Sequence, residues 1–133
     1  MDKAEFDKLA RFAVVGVANT LVGLLTIYLC KWLLDFRDVL ANISGYMLGL
    51  AVSFGLNRAW TFRHSGPVLP ALARFLVIFL LAYLLNLATV LAAIWSLGVN
   101  SYLAHAIGVV PYTVFFFLGS RHFAFRSETA RSD

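Results

Sequence analysis

Charge is scarce in this sequence. Only 14% of the 133 residues are charged, 61% are hydrophobic, and the mean hydropathy is +0.81. A soluble domain has roughly 45–50% apolar and about 25% charged residues. The composition therefore indicates an integral membrane protein. Four spans of about 20 residues take up most of the chain and leave no room for a soluble catalytic domain.

Acidic residues are few, and none lies inside an apolar run. The seven acids are confined to the terminal segments and one short turn: Asp2, Glu5, Asp7, Asp35, Asp38, Glu128 and Asp133. A proton-coupled exporter of drugs or cations needs an ionisable group within the membrane. The lack of such a group argues against that class of protein, which also has four spans.

Signatures of catalysis and metal binding are missing as well. The single cysteine, Cys30, excludes an intrachain disulfide, and no histidine stands in a cluster of acids or thiols. The sequence has no GxSxG and no P-loop. We therefore predict a protein that is not an enzyme and that uses no cofactor or metal. The basic residues are spread along a membrane face, which does not favour binding to nucleic acid.

What the sequence does have is four long apolar runs separated by polar turns. The predicted spans cover residues 11–34, 39–60, 71–97 and 102–123. Residues 1–10 read as a cytoplasmic amphipathic lead, which is consistent with either an interfacial helix or a disordered terminus. Residues 127–133 are polar and are predicted to form a cytoplasmic tail. The fold class is therefore an all-α integral membrane protein with four transmembrane helices.

Basic residues near the span ends predict the orientation. Nine of the eleven fall at the termini and the central loop: Lys3, Lys8, Arg11, Arg58, Arg63, Arg74, Arg121, Arg126 and Arg131. Only Lys31 and Arg37 lie at the other ends of the spans. Because cytoplasmic loops carry an excess of Lys and Arg, we expect both termini on the cytoplasmic side of the cell (inner) membrane.

The second half of the chain repeats the first without gaps. Arg11 recurs 63 positions later as Arg74, and the same offset relates residues 11–63 to residues 74–126. The matches include Arg11-Phe12 with Arg74-Phe75, Trp32 with Trp95, Gly45 with Gly108, and Phe62-Arg63 with Phe125-Arg126. Each repeat holds two spans and starts on the same side. We therefore predict parallel repeats, related by an axis along the membrane normal.

Small residues recur at every fourth position of the second span. The stripe consists of Ala41, Gly45, Gly49 and Ser53, and it contains a GxxxG match. Such a stripe lets two helices approach closely. Packing inside the protomer is the favoured interpretation, and homodimerisation is the alternative.

The first span opens with Arg11-Phe12, Val15-Gly16 and Asn19-Thr20, and the second ends on Phe54-x-x-Asn57-Arg58-x-Trp60-x-Phe62. These residues, in this order and spacing, resemble the GtrA-like family. The resemblance extends from Arg11 to Arg126, a predicted four-helix GtrA-like membrane domain. The same fold appears as the membrane domain of some polyprenyl-phosphate sugar synthases, such as those for dolichol-phosphate mannose. Repeat two departs from the signature, with Ser120 in place of the asparagine and Phe123 in place of the tryptophan.

The resemblance implies a function in the cell envelope. GtrA-like proteins are thought to act as flippases, moving a polyprenyl-phosphate-linked sugar from the cytoplasmic to the outer leaflet for cell-surface polysaccharide synthesis or glycosylation. A separate polyprenyl-phosphate glycosyltransferase usually makes that lipid and is an expected partner. The alternative is a membrane scaffold that anchors or recruits the glycosyltransferase without moving lipid.

An anionic lipid head group needs cations and hydrogen-bonding side chains, which suggests a set of site residues. We expect the phosphate or head group at Arg58, Arg121, Arg11, Arg74, Asn57 and Asn19. A polar path or helix–helix hydrogen bonds are expected at Asn42, Asn86 and His105. Anchoring of helices at the interface is the competing role for the arginines, and it is the better reading of Arg63, Arg126 and Arg131.

Overall fold

Four long helices account for nearly all of residues 1–126, the part of the chain that this computed structural model describes. They are α1 (Lys3–Leu33), α2 (Asp38–Leu56), α3 (Val68–Leu97) and α4 (Ser101–Gly119). A π-helical turn follows α2 at Asn57–Thr61, and a second follows α4 at Ser120–Ala124. All four helices, counted with these turns, are long and apolar enough to cross a membrane. The all-α prediction is confirmed, and the predicted tail at 127–133 lies outside the described residues.

The N-terminal lead is part of the first long helix. The Asp2 carboxylate accepts a hydrogen bond of 2.8 Å from the Glu5 backbone N–H and so caps the start of α1. The helix then continues without a break into the first apolar run. The lead is therefore helical and is neither a separate element nor a disordered start.

The chain divides into two compact units, Met1–Arg63 and His64–Asp133. The first unit is the hairpin of α1 and α2 with the first π-helical turn. The second is the hairpin of α3 and α4 with the second π-helical turn. The start of α2 and the start of its π-helical turn, Asp38 and Asn57, lie 63 positions before the corresponding Ser101 and Ser120. The boundaries of α2 and α4 and of the turns that follow them thus keep the offset of the sequence repeat.

In the first unit the small-residue stripe of α2 packs against α1. A Cβ atom at Gly45 would lie 2.7 Å from the Gly23 carbonyl oxygen and would also overlap the Ile27 side chain. A Cβ at Gly49 would overlap the Asn19 carboxamide. The close approach of the two backbones therefore depends on these glycines, and the predicted packing inside the protomer is confirmed for this stripe.

The second unit replaces much of this stripe by aromatic packing. Gly108, the equivalent of Gly45, also allows two helices to pack closely. A Cβ there would lie 2.8 Å from both Asn86 Nδ2 and Val90 Cγ2. Farther along α4, the Phe116 ring packs on the Phe75 ring at a centroid distance of 5.1 Å. The helix continues through Pro111 without ending.

Short polar turns close each hairpin. In the first unit Lys31, near the end of α1, forms an ion pair with Asp38 at the start of α2. In the second unit α3 ends at Gly98, whose φ of 64° lies in the left-handed region that favours glycine. The Asn100 side chain then accepts a hydrogen bond of 2.9 Å from the Leu103 N–H and caps α4.

Candidate functional site

The two π-helical turns form the candidate site of each unit. In the first, the Phe62 N–H donates to the Asn57 carbonyl at 2.9 Å, five residues back. In the second, the Phe125 N–H donates to the Ser120 carbonyl at 2.8 Å. Single π-helical turns are rare and are often found at functional sites. Here the same rare geometry occurs at equivalent positions of both repeats, and in the first it coincides with the Asn57-Arg58-x-Trp60 signature.

Each π-helical turn carries one arginine whose side chain is half-buried. Arg58 holds this position in the first unit and Arg121 in the second. By contrast, Arg63 and Arg126, five residues farther along, are exposed. The four arginines therefore fall into two classes. Exposure suits interfacial anchoring, whereas a half-buried guanidinium at the end of an apolar span is a candidate for binding an anion.

The arginine that opens each repeat holds the π-helical turn of its own unit. Arg11 Nη1 donates to the Trp60 carbonyl at 3.2 Å, and Arg74 Nη2 donates to the Ala124 carbonyl at 3.3 Å. These carbonyls belong to the last helical turn, where intrahelical partners run out. A cation there also opposes the negative end of the helix dipole. Both arginines thus have a structural role within their hairpins.

The Arg11 guanidinium has two further partners, a carboxylate and an aromatic ring. Its guanidinium lies 2.9 Å from the Asp7 carboxylate and 5.5 Å from the centroid of the Trp60 ring. The carboxylate offsets part of the positive charge that a phosphate would otherwise meet. Arg11, one of the arginines predicted to bind the phosphate, is therefore less available to an anionic ligand than its position in the sequence suggested.

The phenylalanines that follow Arg11 and Arg74 contact the end of the same unit. The rings of Phe12 and Phe62 pack edge to face at a centroid distance of 6.2 Å. The equivalent rings of Phe75 and Phe125 are 5.7 Å apart. The paired Arg-Phe starts and Phe-Arg ends of the repeats are therefore explained in part by contacts between the start of the first apolar run and the end of the second run in each hairpin.

Three buried side-chain oxygen atoms in the π-helical turns have no hydrogen-bond partner within residues 1–126. They are Asn57 Oδ1, Thr61 Oγ1 and Ser120 Oγ, on residues that are 1%, 2% and 0% exposed. The Asn57 amide nitrogen does have one, donating to Ser53 Oγ at 3.3 Å. A buried polar atom left unpaired costs about 1–3 kcal/mol, so each calls for an explanation. Ser120 occupies the position that Asn57 holds in the first repeat.

The remaining predicted residues lie away from these turns. Asn19 and Asn42 line one cleft of about 340 Å³ in the first unit. Asn86 is half-buried against Gly108 in the second unit, and His105 is exposed. Within the described part of the chain, Asn42 and His105 make no hydrogen bond to another helix. The structure therefore separates Asn19 from Asn57, two residues that the sequence analysis placed together at the head group.

Comparison with known families identifies the chain. The family model of the GtrA/DPMS transmembrane domain matches residues 11–125. The chain belongs to this family. No curated protein matches it.

Membership of the GtrA/DPMS transmembrane-domain family agrees with the four long apolar helices, and the chain is a multi-pass membrane protein. The family is consistent with a part in glycan-related processes, and its transmembrane domain is typically non-catalytic. The matched range begins at Arg11 and ends at Phe125, so it includes both π-helical turns.

Sequence reasoning missed Thr61 as a candidate site residue. Thr61 lies inside the Asn57–Phe62 signature, but threonine is common in membrane helices and gave no signal of its own. The structural roles of Arg11 and Arg74 were missed for a different reason. Their carbonyl partners lie 49 and 50 residues along the chain, and no local pattern reveals such a contact.

Proposed function

We propose that this chain translocates a polyprenyl-phosphate-linked sugar from the cytoplasmic to the outer leaflet of the cell membrane. The lipid then serves cell-surface polysaccharide synthesis or glycosylation. The observation that carries the proposal is the half-buried arginine in a π-helical turn at the end of an apolar span, found once in each repeat.

The charge of the lipid sets the main physical demand. A phosphate cannot enter hydrocarbon unpaired, because an isolated buried charge costs tens of kcal/mol in a medium of low dielectric. A guanidinium meets a phosphate with two parallel N–H donors, which adds geometric specificity to charge neutralisation. We assign this role to Arg58 and Arg121. Arg74, which has no acid partner among residues 1–126, can add a second positive charge in its unit.

The unpartnered polar atoms of the π-helical turns support the same proposal. The hydroxyls of Thr61 and Ser120 are donors, as a phosphate oxygen requires, and the side-chain oxygen Oδ1 of Asn57 is an acceptor, as a sugar hydroxyl requires. A water molecule enclosed in the turn, beside a bound head group, would satisfy groups that otherwise destabilise the fold. Their presence in both turns favours a polar ligand over simple anchoring.

The distribution of basic residues supports the direction of transport. It assigns the ends of the spans that carry Arg58 and Arg121 to the cytoplasmic side, where a polyprenyl-phosphate glycosyltransferase makes its product. The seven acids lie outside the apolar runs, so we propose that the lipid moves down its own gradient as it is consumed outside.

Reconstituted vesicles test this proposal. The purified chain is placed in vesicles that carry a labelled polyprenyl-phosphate sugar, and the label accessible from each leaflet is followed with time. We expect transfer between leaflets to be at least about tenfold faster than in vesicles without protein, a barrier reduction of about 1.4 kcal/mol. Transfer at the rate of protein-free vesicles would contradict the proposal and favour a scaffold that only recruits the glycosyltransferase.

A further inference from the structure

A polar cleft opens between α1 and α2 in the first unit, well away from its π-helical turn. Its volume is about 340 Å³. Asn19 lies near the middle of α1, and Asn42 lies one turn after the start of α2. The cleft therefore extends from the middle of the span toward the end that carries the Lys31–Asp38 ion pair. It lies toward the opposite end of α2 from Arg58.

Glycines, which have no side chain, create this cleft. Gly23 and Gly45 form part of its wall, and Gly49 leaves the space that the Asn19 carboxamide occupies. The second unit differs at the decisive position. Asn86 stands where the first unit has Gly23, and its side chain lies against Gly108. The carboxamide of Asn86 thus takes space that in the first unit stays open.

The lining combines hydrogen-bonding groups with an absence of charge. It includes the carboxamides of Asn19 and Asn42, the Thr20 hydroxyl and the Tyr46 phenol. Thr20 donates to the Gly16 carbonyl at 3.0 Å, which leaves its oxygen free to accept. Within residues 1–126, the side chains of Asn19, Asn42 and Tyr46 make no hydrogen bond to another protein group. Both donors and acceptors are therefore available to a ligand.

The polar, uncharged lining of the cleft suits one part of a carrier lipid better than the others. A phosphate needs cations, and none lines the cleft. An alkyl chain would leave the carboxamides unpaired in an apolar environment, which is unfavourable. A sugar ring is uncharged, carries several hydroxyls that both donate and accept, and presents an apolar face to an aromatic ring. A volume of about 340 Å³ falls in the range of small-molecule sites, roughly 300–1,000 Å³.

We infer that this cleft of the first unit is a binding site for the sugar of the translocated lipid, separate from the phosphate site at Arg58. The inference rests on the proposed function and adds a second subsite, toward the opposite end of the hairpin. Asn42 and Arg58 are 16 residues apart on one helical segment, about 24 Å at 1.5 Å per residue, so the sugar occupies the cleft only after the phosphate has left Arg58. Only the first repeat supplies the sugar subsite.

Two lipids test the inference when they are compared on the purified chain in lipid nanodiscs. One is a polyprenyl phosphate that carries a hexose, and the other is the same polyprenyl phosphate without sugar. Losing one or two hydrogen bonds corresponds to about tenfold in affinity, so we expect the wild-type chain to bind the hexose lipid about tenfold more tightly. Asn42→Leu, which removes a carboxamide, and Gly23→Asn, which inserts the residue found in repeat two, should abolish this preference.

Matched controls separate the subsites. Asn86 occupies the position in the second unit that Gly23 occupies in the first. Asn86→Leu removes its carboxamide and should keep the preference for the hexose lipid. Arg58→Gln should weaken binding of the sugar-free lipid most, because that lipid has only the phosphate site, and should keep the preference for the hexose lipid. Binding of the sugar-free lipid by Asn42→Leu and Gly23→Asn at the wild-type level verifies that the chain is folded. If Asn42→Leu fails this check, Asn42→Ala, which only shortens an exposed side chain, takes its place.

The outcomes distinguish the two claims. If the wild-type chain binds both lipids equally, or if the cleft variants keep the preference, the sugar subsite is refuted while the phosphate site stands. If neither lipid binds the wild-type chain, the proposed function fails and the sugar subsite with it. A preference that disappears in the cleft variants and persists in Asn86→Leu supports the inference.

Discussion

Arg58→Lys is expected to lower the affinity for polyprenyl phosphate by about 10- to 100-fold, although it keeps the positive charge. A hydrogen bond to a charged group contributes about 1.5–3 kcal/mol, and lysine replaces the planar two-donor fork by a single point of charge. The guanidinium is half-buried in its π-helical turn, so water compensates poorly for the lost donor. Binding in nanodiscs and the rate of transfer in vesicles should fall together.

Arg63→Lys is the matched control for this experiment. Arg63 lies five residues farther along the same segment and is exposed, so a lysine there can serve equally well at the interface. We expect a change of less than about twofold in affinity, in keeping with the small contribution of exposed charges. Equal effects at both positions would mean that Arg58 acts only as an interfacial anchor.

The largest effect on stability is expected at Gly45. A Cβ atom there would lie 2.7 Å from the Gly23 carbonyl oxygen, and this backbone atom cannot move aside as a side chain can. Overpacking of this kind typically costs about 1–3 kcal/mol. We therefore expect Gly45→Ala to lower the free energy of unfolding in detergent micelles by about 2 kcal/mol.

Gly55→Ala is the matched substitution in the same helix. A Cβ at Gly55 meets no atom within 4 Å, so only the helix propensity changes. Alanine is favoured over glycine in a helix interior by about 1 kcal/mol, and Gly55→Ala should therefore be neutral or stabilising. If Gly45→Ala and Gly55→Ala change stability by the same amount, α1 and α2 do not pack through Gly45.

The helices were predictable because hydrophobicity over 20 or more residues is a strong signal. The starts of α2 and α4 lie one residue before the predicted spans begin, at Asp38 and Ser101. The helix α1 begins at Lys3, eight residues before the predicted span, because the charged residues before Arg11 hid its first turns. Polar residues in the first turns of a helix are favourable, and hydropathy alone does not detect them.

The π-helical turns were not predictable. A shift from an i+4 to an i+5 hydrogen bond changes the sequence periodicity over only one turn, which is too short to detect among residues such as Ala59 and Trp60. The repeat did mark the position, because Arg58 and Arg121 recur at equivalent places. The pattern could not show that the Trp60 and Ala124 carbonyls of these turns accept hydrogen bonds from arginines far away in the chain.

The cleft illustrates a further limit of sequence reasoning. Asn19 and Asn42 were predicted to have different roles, and nothing local relates two residues on different helices. They line the same space because Gly45 and Gly49 bring α2 close to α1. The comparison of repeats would have helped here, since Gly23 and Asn86 occupy equivalent positions and differ in size and polarity.

An experimental structure of the chain with a bound polyprenyl-phosphate sugar would test the central claim most directly. The account predicts phosphate oxygens at about 2.7–2.9 Å from the guanidinium nitrogens of Arg58 or Arg121, the usual range for charged N–H donors. A head group bound elsewhere, with both guanidinium groups turned toward lipid chains, would contradict it.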